Sequence, residues 1–165
     1  MFAIPEQNKI YVTGASGWVG RTIMHELQKI MPASEFTERV VAFGSKPKKL
    51  LSSYYKKEEE VEINIKPLSD IGNKMTTDNV LLIHAAFLTK DRMKEYGRKN
   101  FIETNQQITR TIVDFLKKTD NTKVVHMSSG AATSSEGKRI LPTIDERDPY
   151  GLLKLVEEQE ISKVA

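Results

Sequence analysis

The stretch Lys9–Arg21, KIYVTGASGWVGR, decides the fold. It starts with a short run of residues that favour β-strands, IYV at positions 10–12. Glycines at positions 14, 17 and 20 follow at three-residue spacing, and from Val19 the apolar residues recur at helical spacing. A strand, a tight glycine turn and a helix start predict a cradle for a pyrophosphate, because glycines let the backbone approach the anion and the free N–H groups of the helix start face it.

Length and composition indicate one soluble globular domain. The chain has 165 residues, of which 39% are hydrophobic and 28% charged. It contains no run near the ~20 apolar residues of a membrane span, and its first residues are too polar for a signal peptide, so we expect a cytoplasmic protein without membrane contact. The absence of cysteine excludes disulfides, cysteine-ligated metals and thiol nucleophiles. The net charge of +3 comes without a basic stripe interleaved with aromatics, which argues against nucleic-acid binding.

Strand-like and helix-like segments alternate along the chain. The continuous apolar run VLLIHAA at 80–86 is typical of a strand buried on both faces of a parallel sheet. A polar connection is predicted at 32–38, and a helix or ordered loop at 48–60 with Leu50, Leu51, Tyr54 and Tyr55 facing inward. We predict helices over 18–31, 101–118 and 150–163, and strands over 9–13, 40–43, 61–65, 80–86 and 123–129.

The end of the second predicted strand bears on the choice of cofactor. In an NAD-preferring unit an acidic residue at this place binds the adenosine ribose hydroxyls. Here Gly44 occupies the place, and Ser45 and Lys46 follow it. No carboxylate would repel a 2′-phosphate there, and a hydroxyl and an ammonium could hold one, so NADP is favoured and NAD stays the alternative. The alternative interpretation is that Lys46, Lys48 and Lys49 are only the solvated start of a helix.

The last predicted helix opens with a tyrosine and a lysine four residues apart. Asp148 suits the N-cap and Pro149 the first helical position. Tyr150 and Lys154 then lie on one face of the helix. A phenol has a pKa near ~10 in water, and a fixed ammonium nearby lowers it, so the pair could move the proton of a hydroxyl group while hydride leaves the same carbon. The alternative interpretation of such a pair is a surface contact.

Several motifs together resemble one known family, in the order in which that family has them. They are TGASGWVG at 13–20, HAA at 84–86, Asn105 with Thr109, the strand end KVVHMSS at 123–129, and YGLLKLVEEQEI at 150–161. On these motifs the chain resembles the extended short-chain dehydrogenase/reductases of the NAD-dependent epimerase/dehydratase group over residues 9–161. The resemblance implies an α/β fold, a doubly wound Rossmann-type parallel sheet with strand order 3-2-1-4-5 and helices on both faces.

The resemblance also implies which residues form the site. Ser129 would hydrogen-bond the reacting oxygen, with Ser128 as the alternative, and Asn105 would support the site. His84 is more simply interpreted as a packed histidine than as a catalytic one. The implied catalytic residues are Ser129, Tyr150, Lys154 and Asn105. The implied cofactor-binding residues are Gly14, Ser16, Gly17, Trp18, Val19, Gly20, Ser45, Lys46, Ala85, Ala86, Tyr150 and Lys154.

A nucleotide sugar is the substrate that the resemblance favours, with NADP or NAD as cofactor. In the 4,6-dehydratases of the family, Asp-Glu follows the residue with the active-site hydroxyl. Here Gly130 and Ala131 follow Ser129, which leaves an epimerase or a carbonyl reductase as the expected enzyme.

We expect residues 1–165 to form a single dinucleotide-binding domain without the substrate-binding lobe of the family, with weak or no turnover alone. The edge beyond the fifth strand and one face of the last helix should then be uncovered. The helices at 101–118 and 150–163 resemble the family's dimer contact and predict a homodimer. The alternative function is a non-catalytic dinucleotide-binding or redox-sensing module.

Overall fold

The computed structural model describes residues 8–52, 61–73, 79–133 and 149–165. These form an α/β fold. The strands are β1 (Lys9–Thr13), β2 (Val40–Gly44), β3 (Lys48–Ser52), β4 (Val61–Pro67), β5 (Val80–His84) and β6 (Thr122–His126). The helices are α1 (Trp18–Ile30), α2 (Ala33–Arg39), α3 (Met93–Tyr96), α4 (Arg98–Leu116), α5 (Gly130–Thr133) and α6 (Pro149–Ser162), and 3₁₀ turns cover Leu68–Gly72 and Lys90–Arg92. Within the described ranges, we find no helix with the length and hydropathy of a transmembrane span.

One six-stranded sheet runs in the order β3-β4-β2-β1-β5-β6. Its five strands from β4 to β6 pair in parallel, in the predicted order 3-2-1-4-5. The prediction omitted the sixth strand, β3, which pairs antiparallel with β4 in the register Lys48↔Ile65. The predicted helix or loop at 48–60 is therefore wrong over Lys48–Ser52. The physical reason is that an edge strand satisfies the outer backbone groups of β4, which a helix cannot do. The predicted inward position of Tyr54 and Tyr55 lies outside the described residues.

Helices cover both faces of the sheet, as a doubly wound fold requires. Successive strand residues point to opposite faces, so Ile10 and Val12 pack on one side while Tyr11 packs on the other. The first side holds side chains of α1 and α2, such as Met24 and Phe36. The α2 helix replaces the polar connection predicted at 32–38, and Phe36 accounts for it because its buried ring anchors the segment. The second side holds residues of α4 and α6: Ile112, Val113, Phe115, Leu116 and Ile161.

The last helix is more buried than expected. We predicted one uncovered face, but eight residues of α6 are buried, and the helix contacts α4 and α5. The edge strand β6 agrees better with the expectation, since its burial alternates along the strand and the Val125 side chain is 44% exposed. The chain therefore buries α6 within its own described residues, and β6 remains the more open element.

Candidate dinucleotide and acid–base site

The glycine turn joins β1 to α1 at the carboxyl edge of the sheet. Gly14 has φ +69°, and a Cβ there would lie 2.6 Å from the carbonyl oxygen of Ala85. A Cβ at Gly20 would lie 2.1 Å from the carbonyl oxygen of Gly14. Both positions therefore need glycine, the first for its conformation and both for the close approach of backbone. Gly17 is exposed and donates its N–H to the Gly14 carbonyl at 2.9 Å, which closes the turn.

The start of α1 is open to an anion. Gly17 is the N-cap, and no side chain caps the helix start in the described part of the chain. The first N–H groups of a helix have no intrahelical partners, and its dipole is positive at this end. Trp18 is 84% exposed and Val19 44% exposed, so both side chains flank the turn without filling it. This geometry fits a pyrophosphate whose oxygens accept from the backbone.

The end of β2 lies beside the turn. A Cβ at Gly44 would lie 3.5 Å from Oγ of Ser16, and Ser45 and Lys46 are exposed directly after it. The sequence analysis missed Arg21, which follows the third glycine. The guanidinium Nε of Arg21 donates to the Ser16 carbonyl oxygen at 3.0 Å. The structure thus brings a second cation to the edge where Ser45 and Lys46 lie, and its position in the first turn of α1 is the signal that could have identified it.

The end of β5 packs directly on the turn. The N–H groups of Ala85 and Ala86 lie 3.2 and 3.3 Å from Oγ1 of Thr13, a buried residue that the sequence analysis did not select. Since a Cβ at Gly14 would collide with Ala85, the two loops are in backbone contact. Because Ala85 and Ala86 have small side chains, little side-chain bulk stands at this part of the carboxyl edge.

Asn105 supports the loop that follows β5. Its side chain is fully buried, its Oδ1 accepts from the Leu88 N–H at 2.8 Å, and its Nδ2 donates to the Leu88 carbonyl at 3.3 Å. Thr109 donates to the Asn105 carbonyl oxygen at 3.1 Å. The Asn105 side chain therefore holds the backbone of this loop by two hydrogen bonds and does not lie on the exposed face of α4.

Tyr150 and Lys154 meet on the ring of Phe87, just beyond β5. The Phe87 and Tyr150 rings pack edge to face at 5.7 Å, and Nζ of Lys154 lies 3.9 Å from the Phe87 ring centroid. Lys154 is only 4% exposed, and its ammonium donates to the carbonyl oxygen of Met127 at 2.9 Å. The phenol and the ammonium thus share one aromatic wall at the carboxyl edge. Asp148, the predicted N-cap of this helix, lies outside the described residues.

Ser129 lies just after β6, two residues beyond Met127. Its Oγ accepts a hydrogen bond from the Ala131 N–H at 3.3 Å, while Ser128 is exposed. Strand β6 is the parallel neighbour of β5, so Ser129 and Phe87 both follow adjacent strand ends. The structure therefore places the predicted serine at the same edge as Tyr150 and Lys154.

A buried carboxylate next to this site was not predicted. Glu157, one turn after Lys154 on α6, is fully buried. Its Oε1 accepts from Nε2 of His84 at 3.0 Å, and its Oε2 accepts from Nε2 of His126 and from Nζ of Lys154, both at 2.8 Å. The rings of His84 and His126 stack 5.5 Å apart. His84 is packed, as the sequence analysis preferred, but it is packed into a network of hydrogen bonds.

The protein environment shifts the pKa values of His84 and Glu157. Burial lowers the pKa of His84, and the hydrogen bond to Glu157 opposes that shift only in part, so the ring is neutral. Burial by itself raises the pKa of Glu157, but the hydrogen bonds from His126 and His84 and the charge of Lys154 outweigh it and hold the pKa below its usual range. Glu157 is therefore a carboxylate that faces the ammonium of Lys154.

The same three groups carry donor atoms of the kind that bind Zn²⁺. The candidate ligand atoms of His84, His126 and Glu157 lie within 4.8 Å of one another. However, the ammonium of Lys154 is already 2.8 Å from Oε2 of Glu157, and both nitrogens of His84 have hydrogen-bond partners. A divalent ion would lie against a positive charge and break these bonds, so we interpret the cluster as a hydrogen-bond network.

Comparison with known proteins agrees with this geometry. The model of the NAD dependent epimerase/dehydratase family matches residues 10–165. The chain belongs to the NAD-dependent epimerase/dehydratase family. A search of curated proteins gives no match to this family member. The resemblance to extended short-chain dehydrogenase/reductases drawn from the sequence motifs is confirmed.

Solved structures share the fold of this family member. L-threonine dehydrogenase from Clostridium difficile is 16% identical, with a TM-score of 0.63 over 97% of this chain and 50% of its own. UDP-glucose 4-epimerase from Bifidobacterium longum, in complex with NAD+ and UDP, is 20% identical, with a TM-score of 0.57 over 94% and 48%. RMD from Pseudomonas aeruginosa, complexed with NADPH, is 19% identical, with a TM-score of 0.54 over 92% and 47%. The chain thus spans about half the length of these structures.

Acid will destabilise this family member through His84. The unfolded chain binds the proton near the ordinary pKa of about 6.5, whereas the folded pKa is lower, so stability is present above that pH and is lost as the pH falls below it. The loss approaches about 1.4 kcal/mol per pH unit. Urea denaturation at pH 7, 6 and 5 measures it. In His84→Gln this slope should shrink, and equal slopes in both proteins would contradict the assignment.

Proposed function

We propose that this chain is the cofactor-binding part of an NAD(P)-dependent oxidoreductase or epimerase that acts on a hydroxyl or carbonyl carbon of a nucleotide sugar. One observation carries the proposal. The glycine turn, which only glycines at positions 14 and 20 permit, lies at the same sheet edge as Tyr150 and Lys154. The family match and the fold support a nicotinamide dinucleotide on this turn. The described strands form one sheet, which supports a single dinucleotide-binding domain.

The turn fits such a cofactor. An added Cβ would fill the space at Gly14 and Gly20, the helix start has no side-chain cap, and Gly17 is exposed. The phosphates would lie on the N–H groups at the start of α1, and Ser16 and Ala86 would line the adjacent edge. When bound, the nicotinamide supplies hydride chemistry.

The chain's own residues would supply the proton chemistry and the positioning. Tyr150 takes or returns the proton of the substrate hydroxyl. The ammonium of Lys154 stabilises the phenolate and binds a ribose hydroxyl, while Ser129 donates to the reacting oxygen. Asn105 keeps the Leu88 loop in place through its two backbone hydrogen bonds. In this proposal the sugar is bound largely by segments equivalent to the other half of the longer relatives, and the enzyme is a homodimer.

The rival proposal is a non-catalytic dinucleotide-binding or redox-sensing module. Such a module needs the glycine turn but does not need the phenol of Tyr150 and the ammonium of Lys154 together on the Phe87 ring. The contacts of Phe87 with both Tyr150 and Lys154 therefore favour the enzyme.

Cofactor choice is the part of the proposal that the chain alone can test. We propose NADP rather than NAD, because Ser45, Lys46 and Arg21 lie where a 2′-phosphate would be held, and no carboxylate follows β2. Titration of NADPH and NADH by cofactor fluorescence should therefore give tighter binding of NADPH. In Ser45→Asp, NADPH affinity should fall about tenfold or more, since a new carboxylate repels the 2′-phosphate by about 1–2 kcal/mol.

The matched control is Ser34→Asp on α2. Ser34 is exposed, and its replacement by aspartate adds the same charge on the helix that leads into the start of β2, at the opposite edge of the sheet. It should leave the ratio of NADPH to NADH affinity unchanged. An unchanged ratio in Ser45→Asp as well would end the assignment of NADP to this edge.

A further inference from the structure

Glu157 is a buried charge for which the proposed reaction has no use. Three donors from three elements converge on it: His84 at the end of β5, His126 at the end of β6, and Lys154 one turn earlier on α6. Their side chains and that of Glu157 are at most 12% exposed. A buried carboxylate with this many partners is costly to assemble unless the partners need it.

The carboxylate of Glu157 fixes the direction of the network. Its oxygens can only accept, so the neutral ring of His84 carries its proton on Nε2 and donates it to Oε1. Nδ1 of His84 then accepts from Oγ1 of Thr13, 2.6 Å away. Oγ1 of Thr13 also lies within hydrogen-bond distance of the N–H groups of Ala85 and Ala86, and the Ala85 N–H donates to the Thr13 carbonyl oxygen as well. One chain of hydrogen bonds thus runs from the residue before Gly14 to the ammonium of Lys154.

We propose that Glu157 is the positioning residue of Lys154. Its carboxylate holds the ammonium against the Phe87 ring, within reach of the Met127 carbonyl, and supplies the counter-charge of this buried cation. His84 and His126 in turn hold the carboxylate in place. The inference rests on the proposed role of Lys154 in binding the ribose. It adds that Lys154 acts as half of a buried ion pair, linked through His84 to the glycine turn.

Glu157→Gln separates this role from that of a simple packing residue. The side chains have nearly the same shape, but the amide presents one oxygen and one NH₂ group. Its oxygen must face the ammonium of Lys154, which can only donate, so its NH₂ group takes the place of Oε1 and faces Nε2 of His84. His84 then has to move its proton from Nε2 to Nδ1. Lys154, buried without a counter-charge, should lose its proton at a lower pH than in the wild type.

The experiment is NMR on ¹⁵N-histidine- and ¹³C-lysine-labelled chains, with NADPH binding measured alongside. We expect His84 to be protonated on Nε2 in the wild type and on Nδ1 in Glu157→Gln. We also expect NADPH affinity in the variant to weaken by about tenfold from neutral to mildly alkaline pH, in step with the loss of the Lys154 proton. The control is Glu158→Gln, which removes a charge at the next, half-buried position and should change neither spectrum.

An unchanged His84 tautomer in Glu157→Gln, or a Lys154 that keeps its proton to the same pH as in the wild type, would overturn the proposal. If the variant does not fold, the wild-type spectrum decides, because a proton on Nδ1 of His84 contradicts the network directly. If the folded wild type binds no NADPH, the proposed function fails instead, and the tautomer and the lysine titration still decide the role of Glu157.

Discussion

In the proposed enzyme, replacing Tyr150 by phenylalanine will lower kcat by about 10²–10⁴-fold. The substitution removes one hydroxyl and keeps the ring that packs edge to face on Phe87. The fold and the position of Lys154 should therefore persist, while the hydroxyl proposed to move the substrate proton is gone. Steady-state turnover with a nucleotide sugar, together with the affinity for NADPH, measures the effect. Cofactor affinity should change little, so the loss should appear in kcat.

The matched control for Tyr150 is Tyr96→Phe on α3. Tyr96 is 41% exposed, and its replacement removes the same hydroxyl. The turnover of the Tyr96→Phe enzyme should equal that of the wild type. If Tyr150→Phe also turns over at the wild-type rate, Tyr150 has no part in proton transfer, and the module interpretation becomes the better one.

Gly20→Ala will destabilise the fold by about 3 kcal/mol and abolish the proposed dinucleotide binding. The new Cβ would lie 2.1 Å from the Gly14 carbonyl oxygen and 2.7 Å from Cα of Ala15, both backbone atoms of the turn. Backbone cannot move aside as a flexible side chain can, so α1 must shift away from β1. That shift takes the N–H groups of the helix start away from the proposed phosphate site. Urea denaturation and an NADPH titration measure the two effects.

Gly72→Ala serves as the control for Gly20→Ala. Gly72 ends a 3₁₀ turn, and among the described residues no heavy atom beyond its chain neighbours lies within 4 Å of an added Cβ there. Its stability should stay equal or rise slightly, since alanine lowers the entropy of the unfolded chain. A Gly20→Ala protein that unfolds at the same urea concentration as the wild type would show that the turn is not as tightly packed as described.

The sequence predicted those parts of the molecule that local signals determine. The glycine turn is such a part, because the spacing of Gly14, Gly17 and Gly20 and the following helix are visible within one short stretch. The parallel order of five strands also followed, through the family resemblance. Strand β3 did not, since its pairing with the edge of β4 is a contact between segments that no local pattern in Lys48–Ser52 reveals.

The ion-pair network was hidden for a similar reason. Glu157 belongs to the run VEEQE, whose charged residues are typical of an exposed helix face. Its burial depends on His84 and His126, which come from strands 73 and 31 residues earlier in the chain. The Tyr150–Lys154 spacing correctly predicted a shared helix face, but not that Lys154 would be buried against a carboxylate.

The most direct test of dinucleotide binding at the glycine turn uses Trp18. It is the single tryptophan of the sequence, 84% exposed at the first position of α1, beside the proposed phosphate site. Titrating NADPH into the wild-type chain should quench Trp18 fluorescence by energy transfer to the reduced nicotinamide, with saturation at micromolar concentrations. A folded chain whose Trp18 emission shows no saturable change up to millimolar NADPH or NADH would contradict a dinucleotide on this turn.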